Sequence, residues 1–179
     1  MVIRSLAFAA AVGSAVTGGV LFAFSSFVMP ALDRLDPADA IQAMNAINVA
    51  AVRPAFMTVL FGTAALTVCT AVAGIRRRGT GAGRLLIIGS VVYLIGVIGL
   101  TIAYHVPLND ALARFDPATG DAGRVWTDYR TGWTALNHVR ALAGVAGAVL
   151  LGLAALRVTT GTRAGRSPVR RTGGAPTPR

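Results

Sequence analysis

Residues 85–104 read LLIIGSVVYLIGVIGLTIAY, a run of twenty residues without a charged side chain. A helix of about 20 apolar residues, rising roughly 1.5 Å per residue, is long enough to cross the hydrocarbon core of a bilayer. The rest of the 179-residue chain is similar, since 54% of it is hydrophobic and only 13% is charged. A soluble domain of this size cannot bury so much apolar surface, so the stretch predicts a membrane span.

Three further apolar segments accompany this run. Residues 5–29 and 54–75 are long enough to span, and the shorter core at 141–156 reaches spanning length if its helix begins upstream, near Trp133. Cleavage of the first segment as a signal peptide is an alternative, but about 25 uncharged residues exceed the usual 7–15 of such a signal. We therefore predict an all-α fold, a bundle of four transmembrane helices in a membrane domain of residues 1–158, with spans at about 5–29, 54–75, 85–106 and 133–156.

The distribution of charge predicts the topology. Eleven of the 17 basic residues, with no acid, lie on one side of the predicted spans, and all seven acidic residues lie on the other side. The positive-inside rule then places both termini in the cytoplasm of a multi-pass plasma-membrane protein and two longer loops outside. The cytoplasmic set is Arg4, Arg76, Arg77, Arg78, Arg84, Arg157, Arg163, Arg166, Arg170, Arg171 and Arg179.

Residues 159–179 are rich in Arg, Gly, Pro, Ser and Thr and have no apolar period, so we expect a disordered cytoplasmic tail. Its arginines either anchor the topology or bind anionic lipid headgroups. The net charge of +10 does not predict nucleic-acid binding, because the arginines form no patch interleaved with aromatic residues. The single cysteine, Cys69, excludes an internal disulfide and a multi-cysteine metal site.

Small residues recur every four positions in the first and fourth spans. In lipid, such stripes let helix backbones approach closely, which predicts a compact bundle. The stripes suit packing within one chain and pairing of two copies equally, so a homo-oligomer is an alternative to a monomer. They comprise Ala11, Ala15 and Gly19, and Gly144, Ala148 and Gly152.

The first outer loop contains a predicted helix start. Asp36 suits the N-cap position and Pro37 the first helical position, which indicates a short amphipathic helix lying in this loop. Asn45 and Asn48 fall on its apolar face at helical spacing. Their amides either bond to neighbouring helices or contact a ligand.

A second polar group lies at the outer ends of spans three and four. His105 ends the third span, where we expect Pro107 to stop the helix, and Asn109 follows. On the continuous helix that runs into span four, four residues at i, i+4, i+8 and i+11 share one side. They are Tyr129, Trp133, Asn137 and Arg140, with Trp126 upstream and His138 about 100° around the helix from Asn137.

Ionisable groups at a membrane boundary indicate function, and two kinds of site fit these residues. In one, His105 or His138 is a general base, and Arg140 with an asparagine donates hydrogen bonds to the oxyanion formed when a carbon acid loses its proton. In the other, the two histidines bind a metal ion or haem iron. A non-catalytic subunit or small-molecule binder is a further alternative, since the aromatics also suit an interfacial belt and Arg140 a snorkelling anchor.

Four runs of this sequence resemble the anthrone oxygenase-like family of four-span membrane proteins, over about residues 5–156. The runs are FVMPAL at 27–32, AMNAIN at 43–48, VPLN at 106–109 and WTALNHVR at 133–140. The resemblance implies an integral membrane protein and, for the characterised fungal members, oxidation of an anthrone to an anthraquinone by O₂ without a bound cofactor. The positions that match its motifs are Asn45, Asn48, Asn109, Asn137, His138 and Arg140.

The resulting hypothesis is an enzyme that oxidises a hydrophobic aromatic or quinol-type substrate, which enters from the bilayer, with O₂ as co-substrate. The expected catalytic residues are His105, His138 and Arg140. The expected substrate-binding residues are Asn45, Asn48, Asn109, Trp126, Tyr129, Trp133 and Asn137. No metal site is expected, and a haem or metal ion on His105 and His138 is the alternative.

Overall fold

The computed structural model describes residues 1–118 and 120–160, and within them the chain is helical with no strand. Four of the helices there are long and apolar enough to cross a membrane. The predicted all-α bundle, with an additional short helix between its first two spans, is confirmed. The predicted tail lies, from residue 161 onward, outside the described residues. The helices are α1 (Val2–Leu32), α2 (Pro37–Ala51), α3 (Pro54–Ile75), α4 (Gly81–Arg114) and α5 (Ala122–Thr160).

The four long helices close a ring in which α1 and α4 each pack against both α5 and α3. Small and aliphatic residues such as Ala7, Leu86 and Leu151 fill the end near the chain's N-terminus. At the other end, α2 lies across the helices and buries Ile41 and Met44 against aromatic residues of α5. We call this the α2 end of the bundle.

The start of α2 follows the prediction in position but differs in its chemistry. The helix begins at Pro37, and the carbonyl oxygen of Asp36 accepts a hydrogen bond from the Ala40 N–H at 2.9 Å. Asp36 occupies the predicted N-cap position, although its carboxylate makes no capping hydrogen bond. Pro37 itself explains the start, because its ring fixes φ and it needs no N–H partner in the first turn.

Two long helices approach closely where Gly18 of α1 faces Gly144 of α5. A Cβ atom at Gly144 would lie 2.7 Å from the Cα of Gly18. Beyond Ala11 the predicted stripe in α1 does not follow this contact within the chain, because Ala15 and Gly19 are exposed and a Cβ at Gly19 would meet nothing within 4 Å. A strict four-residue stripe drifts around a helix of 3.6 residues per turn, so the true contact line has shifted by one position.

In α5 the prediction holds at Gly144 and fails at Gly152. A Cβ atom at Gly152 would meet nothing within 4 Å, so this part of the predicted stripe faces away from the bundle. Gly147, which is buried, continues the contact instead.

Helix α4 does not stop at Pro107, as expected from sequence, but continues to Arg114. It widens into π-helical turns at Leu94–Gly99 and Thr101–His105 directly before the proline. Pro107 thus stands in the first turn of a new regular segment, where a missing N–H costs little. The widening also turns His105 into the bundle, where it is buried.

Helix α5 is continuous over 39 residues, which corresponds to about 58 Å. This length exceeds the roughly 30 Å hydrocarbon core of a bilayer, so α5 is long enough to cross the core and to extend beyond it. Its first turns carry Trp126 and Tyr129 into the aromatic cluster of the α2 end.

We predict that Gly144→Leu lowers the stability of the protein and Gly152→Leu does not. The side chain introduced at position 144 would overlap the α1 backbone, and overpacking of this kind costs about 1–3 kcal/mol. The side chain introduced at position 152 would meet open space. Thermal unfolding of both variants in detergent measures the difference. Equal stability of the two variants would contradict the contact between Gly144 of α5 and Gly18 of α1.

Candidate functional site

A cavity of about 480 Å³ lies at the α2 end, with residues of all five helices in its walls. Most of the lining is apolar, and a few polar groups converge on it, which is typical of sites for small molecules. The polar groups are Asn48 of α2, Thr101, His105 and Asn109 of α4, and Trp133 and Arg140 of α5.

The cavity has an apolar edge between α3 and α4. These two helices pack together mainly along the Gly81–Tyr93 part of α4, with few contacts at Leu94–Gly99. Phe61 of α3 and Ile102 of α4 line the cavity and are 52% and 59% exposed. Access to the cavity along this exposed apolar edge suits a hydrophobic ligand.

Arg140 is the buried charge of this cavity, with only 6% of its surface exposed. Its guanidinium donates to Asn137 Oδ1 at 2.6 Å and to Thr101 Oγ1 at 3.2 Å, and it lies 5.4 Å from the ring centre of Trp133. Its Nε is buried without a hydrogen-bond partner. Among the described residues no carboxylate forms an ion pair with it, so the positive charge is balanced only by dipoles and one aromatic face.

Asn137, three residues before Arg140 on α5, connects Arg140 to α1. Its amide nitrogen donates to the Leu21 carbonyl oxygen at 2.7 Å and to Ser25 Oγ at 2.6 Å, and the residue is fully buried. Ser25 stands in a π-helical turn of α1, Phe24–Val28. With both N–H groups engaged, the side-chain oxygen of Asn137 is oriented towards the guanidinium.

Asn109 is the centre of a second hydrogen-bond network. Its Oδ1 accepts from Tyr129 at 2.9 Å and from Trp133 Nε1 at 3.1 Å, and its Nδ2 donates to Asn48 Oδ1 at 3.1 Å. The network ties α2, α4 and α5 together. The Nδ2 of Asn48, which lines the cavity, is buried and unpartnered, so a donor remains available there.

His105 lies between two backbone carbonyl groups. Nδ1 is 3.2 Å from the Leu100 oxygen and Nε2 is 3.3 Å from the Trp133 oxygen, and the ring stands edge-on to the Trp133 ring. A neutral imidazole has one N–H, so it can donate to only one of these oxygens. One of the two carbonyl oxygens is therefore left without a donor when the imidazole is neutral.

Of the ten residues predicted for the site, the structure places five in the cavity wall and two directly behind it. Asn48, His105, Asn109, Trp133 and Arg140 line the cavity, and Asn137 and Tyr129 support them from behind. Three other predicted residues lie elsewhere. Asn45 does not line the cavity, Trp126 donates to Asp33 Oδ1 at 3.1 Å, and His138 is exposed and lines a different groove.

Sequence reasoning missed Thr101 and Ser25. Thr101 accepts from Arg140 and donates to the Val97 carbonyl oxygen at 2.6 Å. Its signal was present, because Thr101 interrupts an apolar run one helical turn before His105. Ser25 carried no such signal, since its role depends on the π-helical turn and on the packing of α1 against α5.

The two histidines do not form a joint site, because His105 lines the cavity and His138 lines the groove. Within the part of the chain that the structure describes, no three His, Cys, Asp or Glu side chains gather as metal ligands would. The donors left without a partner at the cavity, in the Asn48 amide and the Arg140 guanidinium, instead suit the oxygen atoms of an organic ligand.

Comparison with known proteins identifies the family. A family model described as anthrone oxygenase matches residues 53–150, more than half of the chain. The match covers α3, α4 and most of α5, with every polar group of the cavity except Asn48. No curated protein and no solved structure gives a significant match. With its four apolar helices and this match, the chain belongs to the anthrone oxygenase family.

Proposed function

We propose that this protein is a membrane enzyme that oxidises a hydrophobic aromatic or quinol-type substrate with O₂ in the cavity at the α2 end. The observation that carries the proposal is Arg140, a buried guanidinium without a carboxylate partner in the described residues, in the wall of an apolar cavity. An unpaired buried cation is unfavourable for folding and is typical of a functional site. An anionic reaction intermediate would supply the missing partner.

Arg140 is proposed to stabilise the oxyanion formed when the substrate loses a proton from carbon. In an anthrone-type substrate, the negative charge moves onto the carbonyl oxygen. At an effective dielectric constant of about 20, a cation about 4 Å from this oxygen contributes about 4 kcal/mol. Asn137 and Thr101 hold the guanidinium in place before the reaction, so little reorganisation is needed.

His105 is the proposed general base. It lines the same cavity. On substrate binding, one ring nitrogen would turn from its backbone carbonyl to the substrate C–H and take up the proton, while the other N–H stays bonded to the second carbonyl oxygen, of Leu100 or Trp133. The carbanion then reacts with O₂ to a peroxide anion, which takes the proton back from His105 to become a hydroperoxide, and the hydroperoxide loses water to give a ketone. A CH₂ group and O₂ thus become C=O and H₂O, so the reaction needs no external reductant and no bound redox cofactor.

Substrate is proposed to enter along the apolar edge between α3 and α4. Phe61 and Ile102 at this edge are exposed and apolar, so a lipid-dissolved aromatic molecule would reach the cavity without crossing water. The free Nδ2 of Asn48 would donate to a second oxygen of the substrate.

The α2 end is proposed to face the exterior, with both termini in the cytoplasm. The support is the charge distribution, because Arg76, Arg77 and Arg78 stand at the opposite end and the seven acidic residues lie on the α2 side.

We predict that Arg140→Met abolishes most turnover without destabilising the protein. Loss of one donor to an oxyanion reduces kcat about 10²–10³-fold. Removal of the unpaired buried charge offsets the cost of leaving Asn137 Oδ1 without its donor, so stability stays close to that of the parent protein. The assay is anthraquinone formation from a hydroxylated anthrone, together with thermal unfolding. Arg124→Met, an exposed site on α5, is the matched control and should retain full turnover. A fully active Arg140→Met variant would exclude the proposed mechanism.

We predict that His105→Gln lowers turnover about 10²-fold at neutral pH, and that this defect shrinks as the pH approaches the pKa of the substrate's acidic carbon. The reason is that a substrate arriving as its anion no longer needs a base, although it still needs Arg140. Turnover of His105→Gln and of Arg140→Met across a pH series measures this difference. A His105→Gln defect that is the same at every pH would contradict a role as base.

The topology predicts which introduced cysteines are accessible from outside intact cells. In a Cys69→Ala background, Ala118→Cys should react with a membrane-impermeant maleimide, and Gly79→Cys should react only after the membrane is permeabilised. Both positions are exposed at opposite ends of the bundle. If only Gly79→Cys is labelled in intact cells, the protein has the opposite orientation in the membrane.

A further inference from the structure

A second groove, separate from the cavity, lies between the C-terminal end of α1 and the first half of α5. It has a volume of about 530 Å³ and contains His138, the histidine that the cavity does not use. Arg130, Thr134 and His138 line it at i, i+4 and i+8, so they share one face of α5. Arg140, two residues beyond His138, lies on the opposite side, about 200° around the helix.

The charge of this groove is positive. Arg34, Arg130 and His138 line it together with one acidic residue, Asp33. Both oxygens of Asp33 are occupied, because Oδ2 accepts from Arg130 at 2.7 Å and Oδ1 accepts from Trp126 at 3.1 Å. No carboxylate among the described residues pairs with Arg34. The groove therefore presents basic groups whose charge is not cancelled.

Two polar atoms in the groove are buried without a partner. They are Nε of Arg130 and Oγ1 of Thr134, one helical turn apart on α5. A buried polar atom without a partner is uncommon and indicates that a ligand or water completes the site. A guanidinium N–H and a hydroxyl both donate, so the ligand must offer acceptor oxygens.

The depth of the groove and the surface below it suit an amphiphile. From Arg130 to His138 the groove descends about 12 Å along α5. Leu142, one turn beyond His138 on the same face, is 70% exposed and apolar, as is appropriate beside an acyl chain. Arginines at the level of the helix end and an apolar surface below them match a phosphate-bearing headgroup above its chains.

We propose that this groove binds a phosphate group, with Arg34, Arg130, Thr134 and His138 around its oxygens, and that a phospholipid headgroup supplies it. Free phosphate offers the same acceptor oxygens without the acyl chains. The proposal is independent of turnover in the cavity, because the two sites use opposite faces of α5.

The test is binding of dioleoyl phosphatidylglycerol to the full chain in detergent, measured by native mass spectrometry, with inorganic phosphate as a second probe. Arg34→Gln/Thr134→Val should weaken lipid binding about tenfold or more, since it removes a charge-assisted hydrogen bond and a neutral one. The matched control is Arg124→Gln/Thr127→Val, which changes the same residue types at exposed positions of α5 outside the groove. Thermal unfolding shows whether each variant is folded.

Selective loss of lipid binding in the groove variant, with no displacement by inorganic phosphate, supports a lipid site. Binding of inorganic phosphate with the same dependence on the variants supports a site for the free anion instead of a lipid. Equal lipid affinity of the groove and control variants, with phosphate unbound, overturns the proposal. If Arg34→Gln/Thr134→Val does not fold, the single variant His138→Gln at an exposed position replaces it, and unchanged binding then counts against the site.

Discussion

The guanidinium of Arg140 imposes the main constraint on the α2 end, since a cation inside a helical bundle needs compensation and here no described carboxylate provides it. Each neighbouring element contributes part of that compensation. Asn137, anchored to α1, turns its oxygen towards the guanidinium, and Thr101 of α4 and the ring of Trp133 complete the surroundings. The arrangement leaves Nε without a partner, so the charge is oriented but not neutralised. An oriented cation that is not neutralised favours binding of an anion, and the proposed stabilisation of an oxyanion depends on this property.

Departures from regular helix bring these groups together. The π-helical turn at Phe24–Val28 lies where α1 receives the side chain of Asn137, and the turn at Thr101–His105 lies where α4 contributes to the cavity. π-Helical turns frequently occur at functional sites, because they offset the faces of a helix by part of a turn. In contrast, α1 and α5 are regular where Gly18 meets Gly144, and this close contact provides a rigid base for the site.

Helix α5 serves two sites with two faces. Trp133 and Arg140 face the cavity, whereas Arg130 and His138 face the positive groove. One WTALNHVR motif therefore contains residues for two purposes, and the single turn from Asn137 to Arg140 includes members of both sets. A lipid in the proposed groove site would pack against the face of α5 opposite to Arg140.

The sequence by itself determined the class of the protein. Uninterrupted apolar runs and Pro37 specify four spanning helices and the helix between the first two, because length and hydropathy are local properties. Asn48, His105, Asn109 and Arg140 were identifiable because polar residues stand out in apolar surroundings. Only the tertiary structure decided that His105 and His138 belong to separate sites, that Pro107 does not end α4, and that Gly18 is the contact point of α1. These facts depend on π-helical turns and on the rotation of each helix about its axis, which are set by packing between distant segments and leave no local pattern in the chain.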